Sequence, residues 1–273
     1  MILIVREEFM STARLPEEQQ RSNRFGIIIP AAGSGTRFGG GDKLLTPLGA
    51  QTVLQRSVGL FVSRLDVSHL ILVTARERFA IYQEHLAGVI EQAQGTRGQA
   101  GPLEFKLIEG GRERWESVLL GLRALPTKVD FVGIHDAARP LTPSAVINAA
   151  FAGALRHGGS VPCVAEPATL KRVQSVGGGY GSGAGLDRLV MATVDRAGLY
   201  QAQTPQCFAR DKLLAAYEAL LAAGTIAGVT DDAQIFEKAG LPVAATQGSA
   251  TNIKITTPED VQLAQALVQL GGF

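Results

Sequence analysis

The sequence predicts an α/β fold, a doubly wound and mainly parallel sheet with a projecting β-arm. Three observations carry that prediction. Short, wholly apolar runs recur along the chain, and runs of this kind read as strands buried on both faces, as a parallel sheet requires. Between them stand segments whose apolar residues repeat at helical spacing. The alternation breaks at residues 166–196, where two strand-like segments flank a glycine-rich stretch.

The elements follow in order. Ile27, Ile28 and Ile29 form the first apolar run, closed by Pro30. Ala31, Ala32 and a glycine-rich loop follow, with Gly33, Gly35, Gly39, Gly40 and Gly41 enclosing Arg37 and leading to Lys43. Residues 46–49 are turn-like, and Val53, Leu54, Ser57, Val58, Phe61 and Leu65 then mark a helix. The second strand covers 69–74, and Phe79, Tyr82, Leu86, Val89, Ile90 and Ala93 predict the next helix. A polar loop at 95–102 leads into an alternating strand at 103–108. Gly110-Gly111 ends it, and Trp115, Val118, Leu119 and Leu122 share one face of a third helix. The fourth strand, 131–134, runs into His135-Asp136-Ala137-Ala138-Arg139-Pro140. Pro143 is read as the first-turn proline of another helix, and 160–165 as the fifth strand.

Segments 169–174 and 186–194 predict the two strands of the arm, with its tip at 176–185. A two-stranded arm is marginal in water by itself, so a second subunit is its natural support. Helices at about 211–223 and 231–239 and short strands at 242–246 and 252–256 follow. Thr257-Pro258-Glu259-Asp260 starts the last helix with a cap, a proline at the first helical position and an acidic first turn.

Residues 1–24 read as a poorly ordered extension, with Met10 as an alternative start, and 25–273 as one domain that includes the arm at about 166–196. The chain has 273 residues, 46% of them hydrophobic, enough for a sizeable core. Its net charge of +1 lacks the basic excess of a nucleic-acid or membrane-surface protein, so both partners are excluded. No apolar run approaches the ~20 residues of a membrane span. Residues 1–5 are too short for a signal-peptide core and meet Arg6-Glu7-Glu8 at once. Cys163 and Cys207 are isolated and show no metal spacing, as expected of core residues in a reducing compartment. The expected location is cytoplasmic.

Right-handed crossovers place the loops after parallel strands on one edge of the sheet. The glycine loop, Gly110-Gly111 and Asp136 therefore share an edge. Gly33-Ser34-Gly35 alone is a tight turn, and neither the Walker A spacing nor a full dinucleotide fingerprint is present, since Phe38 stands where the third glycine belongs. Two cations in the loop change the weighing. Backbone N–H groups flanked by Arg37 and Lys43 suit a polyphosphate whose charge builds during transfer. Asp136, a helix cap or ion-pair partner elsewhere, becomes on this edge a candidate Mg²⁺ ligand, direct or through water. A phosphate nucleophile is already ionised at neutral pH, so His135 is read as structural rather than as a general base. Arg114, Ser117, Arg139, Thr169, Lys171, Arg172, Arg196 and Lys254 are each weak signals alone.

Together these pieces resemble the 2-C-methyl-D-erythritol 4-phosphate cytidylyltransferase family. The resemblance runs from Phe25 to the last helix, through PAAGSGTRF with Lys43, GGRERWESV, HDAARP, the arm strand from Thr169, TVDRAGLYQAQTPQCF, GVTDDAQIFEKAG and TNIKITTPED. It implies a Rossmann-like nucleotidyltransferase fold and transfer of CMP from CTP to a polyol phosphate, with Mg²⁺. It implies Arg37, Lys43, Arg196 and Lys254 as catalytic, with Arg37 and Lys43 stabilising the α-phosphate and Arg196 and Lys254 positioning the methylerythritol phosphate. The nucleotide would be bound by Pro30, Ala31, Ala32, Gly33, Gly35, Gly110, Gly111, Arg114 and Ser117. The second substrate would meet Asp136, Arg139, Thr169, Arg196, Thr204, Thr230 and Lys254, with Asp136 also toward the metal. It implies a homodimer whose arms are exchanged, so that Thr169 and Arg196 serve the neighbouring subunit. Asp42-Lys43-Leu44-Leu45 stands where the family has a proline-lysine-glutamine segment, and Arg112 where an acidic residue is common.

Three rival readings differ in what they require. A ribitol 5-phosphate cytidylyltransferase shares the loops and arm and differs in the polyol pocket. A dinucleotide-dependent oxidoreductase needs the third glycine and an acidic end to the second strand, where Phe38 and Thr74-Ala75 stand. A nucleotide sensor would have no need of both cations and Asp136.

Overall fold

The computed structural model describes residues 25–33, 38, 41–98, 101–175 and 188–271. The N-terminal extension, Gly35, Arg37 and the arm tip at 176–185 lie outside the described residues.

In chain order the elements are β1 (Phe25–Pro30), the short pair β2 (Pro47–Leu48) and β3 (Gln51–Thr52), α1 (Val53–Val62), β4 (Val67–Thr74), α2 (Phe79–Thr96), β5 (Glu104–Glu109) and α3 (Arg114–Ala124). Then come β6 (Phe131–Ile134), α4 (Ser144–His157), β7 (Gly159–Ala165), β8 (Leu170–Ser175), β9 (Arg188–Val194), β10 (Tyr200–Ala202) and β11 (Gln206–Ala209). The chain closes with α5 (Arg210–Ala222), α6 (Asp232–Lys238), β12 (Ala244–Gln247) and α7 (Pro258–Gln269). No described helix is long and apolar enough to cross a membrane.

The main sheet runs β5-β4-β1-β6-β11-β7. Strands β5, β4, β1 and β6 are parallel neighbours, whereas β11 is antiparallel to both β6 and β7. β10 continues β11 along the same edge of β7, and β12 lies parallel on the other edge. From β1 the chain moves outward to β4 and β5, then returns to β6 on the opposite side of β1. The topological switch point, where ligands of such sheets bind, therefore lies between the C-terminal ends of β1 and β6.

Burial on both faces holds this arrangement. Phe25, Ile27 and Ile29 point into a core with α1, α2, α4 and α7, while Ile28 enters a second core with α3, α5 and α6. Each such isoleucine, fully buried, contributes roughly 1.5–3 kcal/mol. Gly26 shares the Ile28 face, where a Cβ would lie 2.7 Å from a terminal methyl of Leu125, so a larger residue there would make the Leu125 side chain, just past α3, move.

Five local expectations change. Residues 252–256 form no strand. Their alternation reflects burial of Ile255 in a loop that is fixed by side chains: Asn252 Nδ2 donates to Thr204 O (3.0 Å), and its Oδ1 accepts from Thr142 Oγ1 (2.8 Å). β10 and β11 were not anticipated, because Pro205 divides them and a proline demotes a strand pattern. Residues 46–49 belong to the β2–β3 hairpin, turned at Gly49 with φ +69°. Pro143 caps α4 from outside instead of opening it, and α2 runs on to Thr96. The final helix has the expected capping box, with Thr257 as cap and Asp260 as its reciprocal partner.

Candidate active site

A cleft of about 550 Å³ opens at the switch point. Its β1 side is made by Pro30, Ala31, Ala32 and Gly33, and its β6 side by Asp136, Ala137 and Ala138. The start of α3 supplies Gly111, Arg112, Glu113, Arg114 and Ser117. Gly41, Asp42, Lys43, Leu44, Arg78, Lys254 and Thr256 complete the described lining. The cleft thus gathers five cations, Lys43, Arg78, Arg112, Arg114 and Lys254, in a chain whose net charge is +1. Such a local excess of positive charge suits a polyanion.

The α3 side is shaped by close backbone packing. Glu116 Oε2 accepts from the N–H groups of Arg112 (2.6 Å) and Glu113 (3.2 Å), folding the loop back over the first turn of the helix. A Cβ on Gly111 would come within 2.3 Å of Glu116 Cβ, so this fold-back requires glycine there. Gly111 N donates to Ser117 Oγ (3.1 Å), which fixes that hydroxyl at the cleft. Gly110 lies deeper, its N–H on Thr74 O (3.0 Å) and its α-carbon against Ala32 and Ser117. A Cβ there would strike Ala32, and so Gly110 sets how closely the two loops approach.

Asp136 is the electrostatic centre. Its Oδ2 lies 2.9 Å from Lys254 Nζ and 3.5 Å from Arg139 Nε, and its Oδ1 lies 3.6 Å from Arg114 Nε. Burial alone would raise its pKa. Arg114, Lys254 and Arg139 outweigh that and hold the carboxyl well below the ordinary carboxylate range. The cations are themselves tethered. Arg114 Nη2 meets the fully buried Asp232 at 2.8 Å, and Tyr217 donates to the other Asp232 oxygen at 2.6 Å. Gln206 Oε1 accepts the N–H of Asp232 (3.0 Å) and of Ala233 (2.9 Å), anchoring the start of α6. Arg139 Nη1 donates to Asn252 O (2.6 Å).

His135 is fully buried behind Asp136. Burial lowers its pKa to about 4, with Asp136 opposing, so the ring is neutral at neutral pH. Thr204 Oγ1 accepts from Asp136 N (3.1 Å) and lies 3.1 Å from His135 Nδ1. With that hydroxyl donating to Nδ1, Nε2 carries the proton and donates to Arg139 O (3.1 Å). Both ring nitrogens are occupied, in keeping with a structural histidine.

Lys43 sits on a one-turn 3₁₀ helix, Lys43–Leu45, and its Nζ donates to Ile255 O (3.1 Å), beside Lys254. The structure thus brings Pro30, Ala31, Ala32, Gly33, Lys43, Gly111, Arg114, Ser117, Asp136 and Lys254 to one cleft. Arg139 and Thr204 stand behind Asp136. Thr230 is exposed outside the described lining, its N–H on Gln234 Oε1 (3.0 Å). Thr169 and Arg196 lie exposed at the base of the arm, where Arg196 Nη1 donates to Pro167 O. Sequence reasoning missed Asp42, Arg78 and Asp232. Arg78 follows the C-terminal end of β4, on the edge where the functional loops gather, and that placement was the available signal.

Among the described residues no three His, Cys, Asp or Glu side chains cluster as a metal site. Of the three carboxylates on the described lining, Asp42 is held by Tyr82 and Arg78 and Glu113 caps α3, which leaves Asp136 as the candidate metal donor. Mg²⁺ dehydrates reluctantly and takes one or two protein carboxylates alongside phosphate oxygens and waters, so these residues fit an ion shared with a phosphate substrate rather than an all-protein cage.

Comparison with known proteins agrees with the geometry. The profile of the 2-C-methyl-D-erythritol 4-phosphate cytidylyltransferase family matches residues 25–270. A protein of that name from Symbiobacterium thermophilum is 35% identical over 244 residues, covering 89% of this chain and 92% of the relative. A bifunctional IspD/IspF enzyme from Rhodospirillum rubrum is 39% identical over 88% of this chain, which spans 56% of that longer protein. The crystal structure of a 4-diphosphocytidyl-2C-methyl-D-erythritol synthase from Anaerococcus prevotii superposes with a TM-score of 0.70 at 27% identity, covering 91% of this chain and 99% of the other. With a profile match that starts at β1 and ends just past α7, and a cation-lined cleft at the switch point, the chain belongs to the 2-C-methyl-D-erythritol 4-phosphate cytidylyltransferase family.

Proposed function

We propose that the chain transfers CMP from CTP to 2-C-methyl-D-erythritol 4-phosphate, giving 4-diphosphocytidyl-2-C-methyl-D-erythritol and pyrophosphate, a step of isoprenoid precursor synthesis. The observation that carries this reading is the family match over residues 25–270, laid on a cleft in which five cations converge. The chemistry is a displacement at phosphorus. A phosphate oxygen of the polyol attacks the α-phosphorus of CTP, the bond to the bridging oxygen of the β-phosphate breaks, and pyrophosphate leaves with that electron pair. The attacking oxygen is already ionised near neutral pH, so no proton has to be removed. This accords with a buried, neutral His135. Catalysis then rests on position and charge.

Lys43, with Arg37, stabilises the α-phosphate as charge builds there. Ala31, Ala32, Gly33, Gly111 and Ser117 surround the cytidine, their small side chains leaving room for it. Lys254 leaves its contact with Asp136 to meet the polyol phosphate. Asp136 would hold Mg²⁺ together with phosphate oxygens, and a bound Mg²⁺ would neutralise charge on the triphosphate.

The arm supports a homodimer. Val173, Leu189, Val190 and Met191 are exposed on it, Val190 at 62%, and a second chain would cover them. Exchange of arms carries Thr169 and Arg196 into the partner's cleft. The cytoplasm is the proposed site of action, in keeping with two free thiols, Cys207 buried and Cys163 half-buried.

The test is steady-state pyrophosphate release from CTP with each polyol phosphate in turn. Preference for methylerythritol phosphate over ribitol 5-phosphate is expected. Preference for ribitol phosphate would replace the assignment.

A further inference from the structure

Lys43 is the first described cation after the glycine loop, and the residue before it is not a passive linker. Asp42 lies in the cleft wall with its carboxylate used three times. Oδ1 accepts from Leu44 N (3.0 Å), capping the 3₁₀ turn that carries Lys43. Oδ2 accepts from Tyr82 Oη (2.6 Å) and lies 3.0 Å from Arg78 Nη1. Arg78 Nη1 also donates to Tyr82 Oη (3.1 Å), closing a three-membered network. Tyr82 is fully buried in α2, so its hydroxyl stands on a fixed support. Leu44, the next residue of the turn, is buried in the same core.

A carboxylate at the wall of a polyphosphate cleft repels its ligand unless its charge is answered. Here Arg78 answers it and Tyr82 orients it. We infer that Asp42, Tyr82 and Arg78 form a clamp that tethers the Lys43 turn to α2 and positions Lys43 for the reaction. The three are positioning residues, because they act through Lys43. The clamp explains how an aspartate can stand at position 42 beside a reacting phosphate. It also gives the start of α2, distant from the switch point in sequence, a part in the site. The inference rests on the proposed role of Lys43 in CMP transfer.

The experiment compares Asp42→Ala, Asp42→Asn and Tyr82→Phe for kcat, KM for CTP and Tm. Asp42→Ala removes the cap and both contacts of the tether, to Tyr82 and to Arg78. Asp42→Asn keeps one oxygen to cap Leu44 N but puts an amide NH2 in place of the oxygen that meets Tyr82 and Arg78, so it preserves the cap and cuts the tether. Tyr82→Phe deletes one hydroxyl and leaves the ring in the core, so it folds even if Asp42→Ala does not. Because sub-ångström misplacement of a reacting group is costly, kcat should fall roughly 10-fold or more in Asp42→Ala and several-fold in Tyr82→Phe, with KM for CTP nearly unchanged. Asp42→Asn, which keeps the cap and loses the tether, should lower kcat at least as much as Tyr82→Phe. The clamp is wrong if Tyr82→Phe keeps wild-type kcat, or if the losses fall on KM or Tm with kcat intact. Wild-type turnover of CTP with methylerythritol phosphate is the control. Its absence would overturn the function itself, whereas normal wild-type turnover with unaffected variants would overturn the clamp alone.

Discussion

Asp136 and Arg196 are both charged groups at the ends of strands, yet the fold treats them in opposite ways. Asp136 is nearly buried and faces Lys254, Arg114 and Arg139, the second of which is held by Asp232. Arg196 is exposed and donates to the carbonyl of Pro167 within its own arm. The difference teaches where preorganisation ends. One wall of the cleft is assembled by a single chain, with the charge of Asp136 answered by three cations of that chain before any ligand arrives. The other is presented on a hairpin whose Val173, Leu189, Val190 and Met191 are exposed among the described residues, and under the proposed arm exchange it would become a wall once a second chain receives it.

The sharpest way to break this contrast is to remove a cation from the assembled wall. If Lys43 acts in the transition state, Lys43→Ala should lower kcat by roughly 10²–10³-fold, as loss of one preorganised charge contact does elsewhere, with little change in KM for CTP. A loss confined to KM would make Lys43 a ground-state binding group and weaken the case that this wall is built for the reaction.

The arm is tested by complementation. Arg37→Ala and Arg196→Ala subunits should each be inactive as homodimers. If the arm enters the partner's cleft, a mixed dimer has one site carrying both lesions and one carrying neither. Random mixing of equal amounts makes half the dimers mixed, so roughly a quarter of wild-type activity should return. Verified mixed dimers that stay inactive would place the whole site within one chain and erase the distinction between the two walls.

The same contrast marks what was legible in the sequence. The apolar runs at β1, β4 and β6 could be read because a strand buried on both faces must be apolar throughout, and handedness then places the loops after them on one edge. Hence the sequence alone places Asp136, Gly111 and the glycine loop that leads to Lys43 together. The partners of Asp136 were harder. Arg114 and Lys254 come from separate loops, and only packing of α3 and of the 252–256 segment sets their distances. Residues 252–256 imitate a strand because Ile255 is buried, but the segment is pinned by the Asn252 side chain rather than by a ladder. Tyr82 belongs to the helical repeat of α2 as a core ring, but nothing periodic in the sequence links its hydroxyl to Asp42 and Arg78, since a polar network has no repeat and depends on where α2 begins.

The smallest expected effect is on stability and lies beneath the assembled wall. His135 is buried and neutral, its pKa lowered from the ordinary value to about 4. In the unfolded chain the same ring titrates near 6.5, so between about pH 6.5 and 4 the unfolded state binds the extra proton. Stability should therefore be full above that window and decline as pH falls through it, by up to about 3 kcal/mol. Asp136 acts in the same direction but lower. Its folded pKa is depressed, so its contribution is present above about pH 4 and is lost below. Denaturant midpoints from pH 7 to 4.5 separate the two, since only His135 titrates there with this sign at the wall. His135→Asn should flatten that part of the profile while leaving the steeper acid limb of Asp136. A variant that keeps the full slope between pH 6.5 and 4.5 would show that the wall's proton sensitivity comes from elsewhere, and that the neutral histidine behind Asp136 is not part of what holds it together.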